Sequence, residues 1–287
     1  MDHSKMPHNF GGLPRKFSRY DNAAIVILPV PFDETSTWGK GADKGPEAII
    51  EASKHMELFD IETNSEVYKK AIHTASPIKK KTSARMVDAV YRKTKKLIEE
   101  GKFVVTVGGE HSVSIGTIKA HGESFRNFSI LHLDAHSDRR ERYEGSKYNH
   151  ACVMARVAEF CPRIVSVGIR SMDVSETKRV SKKNLFLAHE IVKSRGWIDA
   201  AGRNLSSHVY VTIDLDVFDP SIVPSTGTPE PGGLDWYQVT SLLRAVSKKK
   251  CIVGFDVVEL CPSHDTAPDF LAAKLIYKLL SYIFCKG

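Results

Sequence analysis

Short runs of β-branched and other apolar residues alternate with longer stretches of helical periodicity along most of the chain. The first run is 24–30 (AIVILPV), and 103–107 (FVVTV), 129–133 (SILHL), 209–213 (VYVTI) and 252–258 (IVGFDVV) repeat its character. Residues 163–169 and 185–188 read as companion strands. Between them the pattern predicts helices over 45–59, 83–101, 112–121, 150–160, 235–246 and 269–284. Pro46 suits a first helical position. Thr82 or Ser83 caps the second helix, whose apolar positions Met86, Val87, Val90, Leu97 and Ile98 share one face before Gly101 ends it. Strands apolar on both faces and separated by helices predict an α/β fold with a parallel sheet covered on both sides. No linker rich in Pro, Gly or Ser divides the sequence, so one domain is expected over 1–287.

The stretch 269–284 is apolar nearly all round, interrupted by Lys274, Lys278 and Ser281, which predicts a buried or interface helix too short and too charged to span a membrane. Residues 1–14 are polar and lack the apolar core of a signal peptide, so a cytoplasmic protein is expected. Composition changes this picture little: 42% hydrophobic and 26% charged residues exclude a disordered chain. The five cysteines form no CxxC pair and read as mostly buried free thiols. The formal charge of +7 invites a nucleic-acid reading. No recognised nucleic-acid module accompanies it, and the lysines cluster at 79–81, 95–96, 182–183 and 248–250, where solvated helix ends and loops are expected.

Chemistry concentrates just beyond four of the predicted strands. Strand 103–107 leads into GGEHS with His111, and 129–133 into DAHSD with Asp134, His136 and Asp138. Strand 209–213 leads into DLDVFDP with Asp214 and Asp216, and 252–258 into Glu259. That end of a parallel sheet is where α/β proteins bind ligands. In extended backbone, alternate residues face one side, so the three DAHSD residues converge and the two DLD aspartates do likewise. Four carboxylates in one place repel unless cations accompany them. Four Asp and two His, with no thiolate, suit Mn²⁺ better than structural Zn²⁺. Six ligands are too many for one tetrahedral ion and suit two ions that share carboxylates.

These segments resemble the ureohydrolase family of arginases and agmatinases. The resemblance rests on GGEHS at 108–112, DAHSD at 134–138 and DLDVFDP at 214–220, supported by 29–49, STGTPEPGGL at 225–234 and GFDVVELCP at 254–262. It implies a three-layer α/β/α fold with a mainly parallel eight-stranded sheet, a dinuclear manganese site and a homo-oligomer, trimeric or hexameric. By the resemblance, one Mn²⁺ is held by His111, Asp134, Asp138 and Asp214, the other by Asp134, His136, Asp214 and Asp216. His150 matches the family's proton-shuttling loop histidine, and Glu259 the glutamate that receives the substrate guanidinium. Asp138 is the residue expected to pass a proton to the departing amine. The products are urea and a primary amine.

Where arginases carry an asparagine that grips the amino-acid end of their substrate, this loop reads DRRERYEGSKYNH, with Arg139 and Arg140. This makes agmatine, a small cationic guanidino compound, the leading expectation. Aminopropylagmatine and a guanidino acid such as guanidinobutyrate remain as alternatives. A dinuclear phosphoesterase would need an Asn–His pair with further histidines, and a deacetylase of related fold a tandem histidine pair; the chain offers GGEHS instead.

Overall fold

The computed structural model describes residues 6–285; the first five residues of the polar opening segment lie outside it. Eight strands form one sheet: β1 (Ile25–Val30), β2 (Ile72–Thr74), β3 (Phe103–Gly108), β4 (Phe128–Leu133), β5 (Ile164–Ile169), β6 (Leu185–Leu187), β7 (His208–Asp214) and β8 (Cys251–Val258). Their order is β2-β1-β3-β8-β7-β4-β5-β6, and every neighbouring pair is parallel. Nine helices are described: α1 (Arg15–Ser18), α2 (Gly45–Ser53), α3 (Ser83–Glu99), α4 (Ser114–Ser124), α5 (Val153–Ala158), α6 (Ala188–Ile191), α7 (Trp197–Asn204), α8 (Trp236–Lys249) and α9 (Ala267–Phe284).

The period-two alternation of each strand divides the interior into two cores. Ile25, Ile27, Val105, Val107, Leu131, Val209, Val211 and Phe255 meet α2, α7, α8 and α9 on one face. Val26, Leu28, Val104, Ile130, Ile164 and Tyr210 meet α3, α4 and α5 on the other. The result is a three-layer α/β/α sandwich, as expected for parallel strands apolar on both sides.

The helix signals act locally. Thr82 precedes α3 in extended conformation but makes no side-chain cap, and the Ser83 amide donates instead to Glu34 Oε2 at 2.7 Å; Gly101 follows the helix at φ 73°, a left-handed position that suits glycine. Asp235 and Gln238 form a reciprocal capping box at the start of α8. α2 carries Pro46 in its first turn but ends at Ser53, six residues short of the expected boundary. α9 is buried along most of its length within this chain, packed in the first core. The lysine clusters lie exposed or half-exposed. The cysteines are free, but only Cys152 and Cys161 are buried, while Cys251 is exposed and Cys261 and Cys285 are half-buried; the expectation of mostly buried thiols is corrected accordingly. No helix among the described residues is long and apolar enough to cross a membrane.

Candidate metal centre and active site

The four strands that carry the polar motifs, β3, β8, β7 and β4, are consecutive neighbours in the middle of the sheet. Their carboxyl ends therefore deliver His111, Glu259, Asp214 and Asp134 side by side. Gly109 allows this closeness: its amide donates to the Val30 carbonyl at 2.9 Å, and a Cβ there would collide with the Phe32 backbone. Two site residues, Asp138 and Glu259, have φ of 52° and 68°. A non-glycine residue in this region costs free energy, and such strain concentrates where function fixes a side chain.

His111 Nδ1 lies 3.1 Å from Asp134 Oδ2, 3.1 Å from Asp138 Oδ2 and 3.3 Å from Asp214 Oδ2. Beside it, His136 Nδ1 lies 2.8 Å from Asp216 Oδ2 and 3.7 Å from Asp134 Oδ1. Asp134 thus turns one oxygen toward each imidazole. Asp214 turns Oδ2 toward His111 while its Oδ1 accepts the Asp216 amide at 2.9 Å. All six residues named by the motifs come together. The donor atoms of His111, His132, Asp134 and Asp138 form one cluster of metal-holding size, and those of Asp134, His136 and Asp216 a second.

Electrostatics makes the same demand. Burial alone would depress the His111 imidazolium, yet the surrounding carboxylates hold its pKa well above the ordinary histidine value. Burial likewise opposes charge on His136, but Asp216 and Asp134 raise it to about 12. Burial and then the Asp134 charge push Asp138 up to about 6, and burial with Asp216 and Asp134 raises Asp214 well above the carboxylate range. Protons are forced onto these groups because the cluster holds more negative charge than its neighbours neutralise. The fit to a divalent ion is visible in one atom: His111 Nδ1, fully buried and faced by three carboxylate oxygens, makes no hydrogen bond. An oxygen-rich set around an imidazole nitrogen that no hydrogen bond satisfies is the donor chemistry of a Mn²⁺-type ion.

Around this cluster lies a narrow slot lined by Ser36, Trp38, Asp138, Asp216, Gly227 and Glu259. Glu259 is buried, accepts the His111 amide at 2.6 Å and has its pKa raised by burial and then by Glu110 and Asp216. His150 sits at the slot's rim. Thr35 Oγ1 donates to Glu110 Oε1 at 2.7 Å and accepts from the His150 amide at 3.0 Å, with His150 Nδ1 3.2 Å away. Burial first, then the neighbouring imidazoles, lower His150 to about 4. It is therefore neutral at pH 7, with Nδ1–H on Thr35 and Nε2 free to accept a proton.

The slot opens into an outer chamber of about 320 Å³ that shares Thr37, Asp138, His150 and Thr228 with it and adds Arg140, Tyr143, Asp173 and Glu176. Arg140 lies over the Tyr143 ring, 4.5 Å from its centroid, with its Nη2 3.7 Å from Asp173 Oδ2. Arg139 is buried outside the chamber lining, and burial lowers its guanidinium to about 10. Of the two loop arginines, then, only Arg140 faces the chamber.

His132, Thr212, Asp256, Thr35 and Glu110 escaped sequence reasoning. His132 had a visible signal, since it precedes Asp134 by two and so shares its face of β4. Thr212 likewise stands two before Asp214 and Glu110 adjoins His111, but the contacts that give these two, Thr35 and Asp256 their roles join distant segments.

A model of the arginase family matches residues 23–281. An N(1)-aminopropylagmatine ureohydrolase of Synechocystis is 37% identical over 295 aligned positions, covering 96% of each chain. One from Thermus thermophilus is 39% identical over 91% of each chain, and an agmatinase from Pyrococcus horikoshii is 31% identical over 90% of this chain and 92% of its own. Among solved structures, the agmatine ureohydrolase of Thermoplasma volcanium matches with a TM-score of 0.87 at 29% identity, covering 97% of this chain and 95% of that one. Proclavaminate amidino hydrolase from Streptomyces clavuligerus matches with a TM-score of 0.85 at 27% identity and the same coverage. With a family model spanning nearly the whole chain and relatives above 30% identity across nine-tenths of it, this protein belongs to the arginase family and is a ureohydrolase.

Proposed function

We propose that the protein hydrolyses the guanidinium group of N1-aminopropylagmatine, releasing urea and a longer primary polyamine, with two Mn²⁺ ions in the cluster. His111, Asp134, Asp138 and Asp214 would hold one ion, and Asp134, His136, Asp214 and Asp216 the other. A pair of divalent ions lowers the pKa of water and supplies hydroxide near neutral pH. Glu259 receives the planar guanidinium through charge-assisted hydrogen bonds and holds its carbon over the cluster. Asp138, which lines both slot and chamber, passes a proton to the departing amine. Neutral His150 exchanges protons between the slot and solvent through Nε2. On this proposal the reaction serves polyamine synthesis, since the amine released is itself a polyamine.

The observation that carries the substrate choice is the outer chamber. Agmatine ends in one ammonium a short chain from the guanidinium, whereas the aminopropyl extension adds a second. The chamber continues from the slot, and its wall holds Asp173, whose Oδ2 is engaged among the described residues only by Arg140 Nη2 at 3.7 Å and would be shared with such a group. Glu176 is less available, because its oxygens accept from Ser137, Arg139 and the Asp173 amide. The aminopropylagmatine ureohydrolases among the relatives support the same choice. A guanidino acid is the second reading, favoured by Arg140 in the chamber wall. Its carboxylate would have to displace Asp173 from that guanidinium.

Urea release in added Mn²⁺ tests the proposal with a panel of N1-aminopropylagmatine, agmatine, guanidinobutyrate and arginine. The highest kcat/KM is expected for aminopropylagmatine. A higher value for agmatine or guanidinobutyrate overturns the substrate choice, and no urea from any of the four overturns the reaction.

A further inference from the structure

Directly beneath the metal cluster, one polar row crosses five strands. Register pairs Thr106 of β3 with Asp256 of β8, Asp256 with Thr212 of β7, Thr212 with His132 of β4, and His132 with Ser166 of β5. All five side chains are buried, on the sheet face that otherwise carries Val104, Ile130, Ile164 and Tyr210. Polar groups in an apolar core are costly unless satisfied, so a continuous row of them calls for a purpose.

Asp256 is the most expensive member. It is fully buried and makes no ion pair with Lys, Arg or His among the described residues. Its oxygens accept from Thr212 Oγ1 at 2.7 Å and Tyr210 Oη at 2.8 Å. The threonine hydroxyl has one proton, and Asp256 takes it. Toward His111 Nε2, 3.0 Å away, Thr212 Oγ1 therefore acts as acceptor, so the ring carries its proton on Nε2. That keeps a proton on Nε2 and makes Nδ1, which faces Asp134, Asp138 and Asp214, the nitrogen that a divalent ion would take in place of a proton. At the other end of the row, His132 Nε2 lies 2.7 Å from Asp134 Oδ2 and its Nδ1 lies 3.1 Å from Ser166 Oγ.

We propose that Thr212 and Asp256 act as a positioning chain for His111, locking the tautomer and ring orientation it needs to hold a divalent ion. The proposal rests on the metal-centre reading above. Outer partners of metal-binding histidines orient the ring and raise its basicity, and their loss typically costs about 10- to 100-fold in metal affinity. Here the carboxylate acts through a hydroxyl, so the two residues form one unit.

Titration calorimetry of the metal-stripped protein with Mn²⁺ alone tests this without any turnover. Thr212→Val, similar in shape but without the hydroxyl, is expected to weaken one of two Mn²⁺ sites about 10- to 100-fold and to spare the other. Thr212→Ser restores it. Asp256→Asn weakens the same site less, and adds no further loss in the Thr212→Val background, as for residues acting in series. The paramagnetic resonance spectrum of Thr212→Val at two equivalents of Mn²⁺ shows loss of the coupled dinuclear signal. Wild-type affinity at both sites in Thr212→Val overturns the proposal. So does an equal loss at both sites that serine fails to restore, which marks general loosening of the core. Wild-type protein that takes up no Mn²⁺ overturns the metal-centre reading and this chain with it.

Discussion

Replacing Glu259 with glutamine separates substrate binding from metal binding. The side chain keeps its shape, and an amide oxygen can still accept from the His111 backbone N–H, now at 2.6 Å. What disappears is the negative charge, and the second oxygen becomes an NH₂ donor facing a guanidinium that only donates. About two charge-assisted hydrogen bonds are lost, each worth about 1.5–3 kcal/mol, so a loss of roughly 3–6 kcal/mol of transition-state binding is expected. At about 1.4 kcal/mol per decade, kcat/KM falls on the order of 10²- to 10⁴-fold. Because Glu259 is not one of the six residues assigned to the ions, and its Oε1 is taken by the His111 amide, the Mn²⁺ content measured by atomic absorption is expected to stay at the wild-type value.

Stability moves the other way. Burial, then the charges of Glu110 and Asp216, raise the Glu259 pKa well above the carboxylate range. A carboxyl whose folded pKa is raised binds more protons folded than unfolded, so its ionisation erodes stability as pH climbs above about 4.5. Metal-stripped Glu259→Gln is therefore expected to melt higher than metal-stripped wild type at pH 7, with the difference shrinking toward pH 4. Urea-release kinetics and calorimetric melting supply both readouts. A variant within threefold of wild-type kcat/KM at normal metal content refutes the assignment of the guanidinium to Glu259.

Thr35→Val removes the acceptor that holds the His150 Nδ1–H. It is expected to lower kcat roughly tenfold, a fraction of what a proton-transferring group contributes, with metal content unchanged. An unaltered kcat and kcat–pH profile would dismiss the positioning role. Asp173→Asn is expected to raise KM for N1-aminopropylagmatine up to about fivefold, because a half-exposed ion pair is worth at most about 1 kcal/mol. KM for agmatine should not move, and equal shifts for both substrates would argue against a distal ammonium subsite. His121 is fully buried, and burial lowers its pKa to about 4. The unfolded chain takes up that proton near pH 6.5, so stability falls as pH drops from 6.5 toward 4, by about 3 kcal/mol for this group. Urea denaturation of metal-stripped protein at pH 7 and pH 4.5 should show the loss, and His121→Gln should remove most of it.

The site was legible where its logic is local. Polar residues spaced by two at the ends of apolar runs announce themselves in DAHSD and DLD, because strand geometry alone puts alternate residues on one face. Gly101, Pro46 and Asp235 likewise act within a turn of their own position. β2 was missed because three residues, Ile72–Thr74, at a sheet edge are too few to show a period. α6 begins directly after β6 and is a single turn, too short to show helical spacing, and α7 is an eight-residue helix beyond a loop holding Lys193, Ser194 and Arg195. The supporting residues were illegible for another reason. Thr212 lies 44 residues from Asp256 and 101 from His111, and Thr35 lies 75 from Glu110 and 115 from His150. Only strand order and register bring such pairs together, and both are tertiary facts. A threonine in VYVTI reads as an ordinary strand former until its neighbour across the ladder is known.

The charge distribution shows the same division between local and global. The chain carries +7, yet its most ionic region is a buried group of carboxylates. The lysine clusters are exposed or half-exposed, so ions at physiological strength screen them beyond about 8 Å. Asp134, Asp138, Asp214, Asp216 and Glu259 sit in a medium of low polarisability, where their field is screened far less. Even two divalent ions leave the fifth carboxylate and the hydroxide uncompensated, so the slot remains negative. Arg140, in the chamber wall, is held by Asp173 and by the face of Tyr143, which leaves little free positive charge there to repel an incoming amine. A cationic guanidino compound, as proposed, would thus be drawn by the interior of a protein whose surface has its own sign, because the walls of a cleft focus the field of the groups that line it.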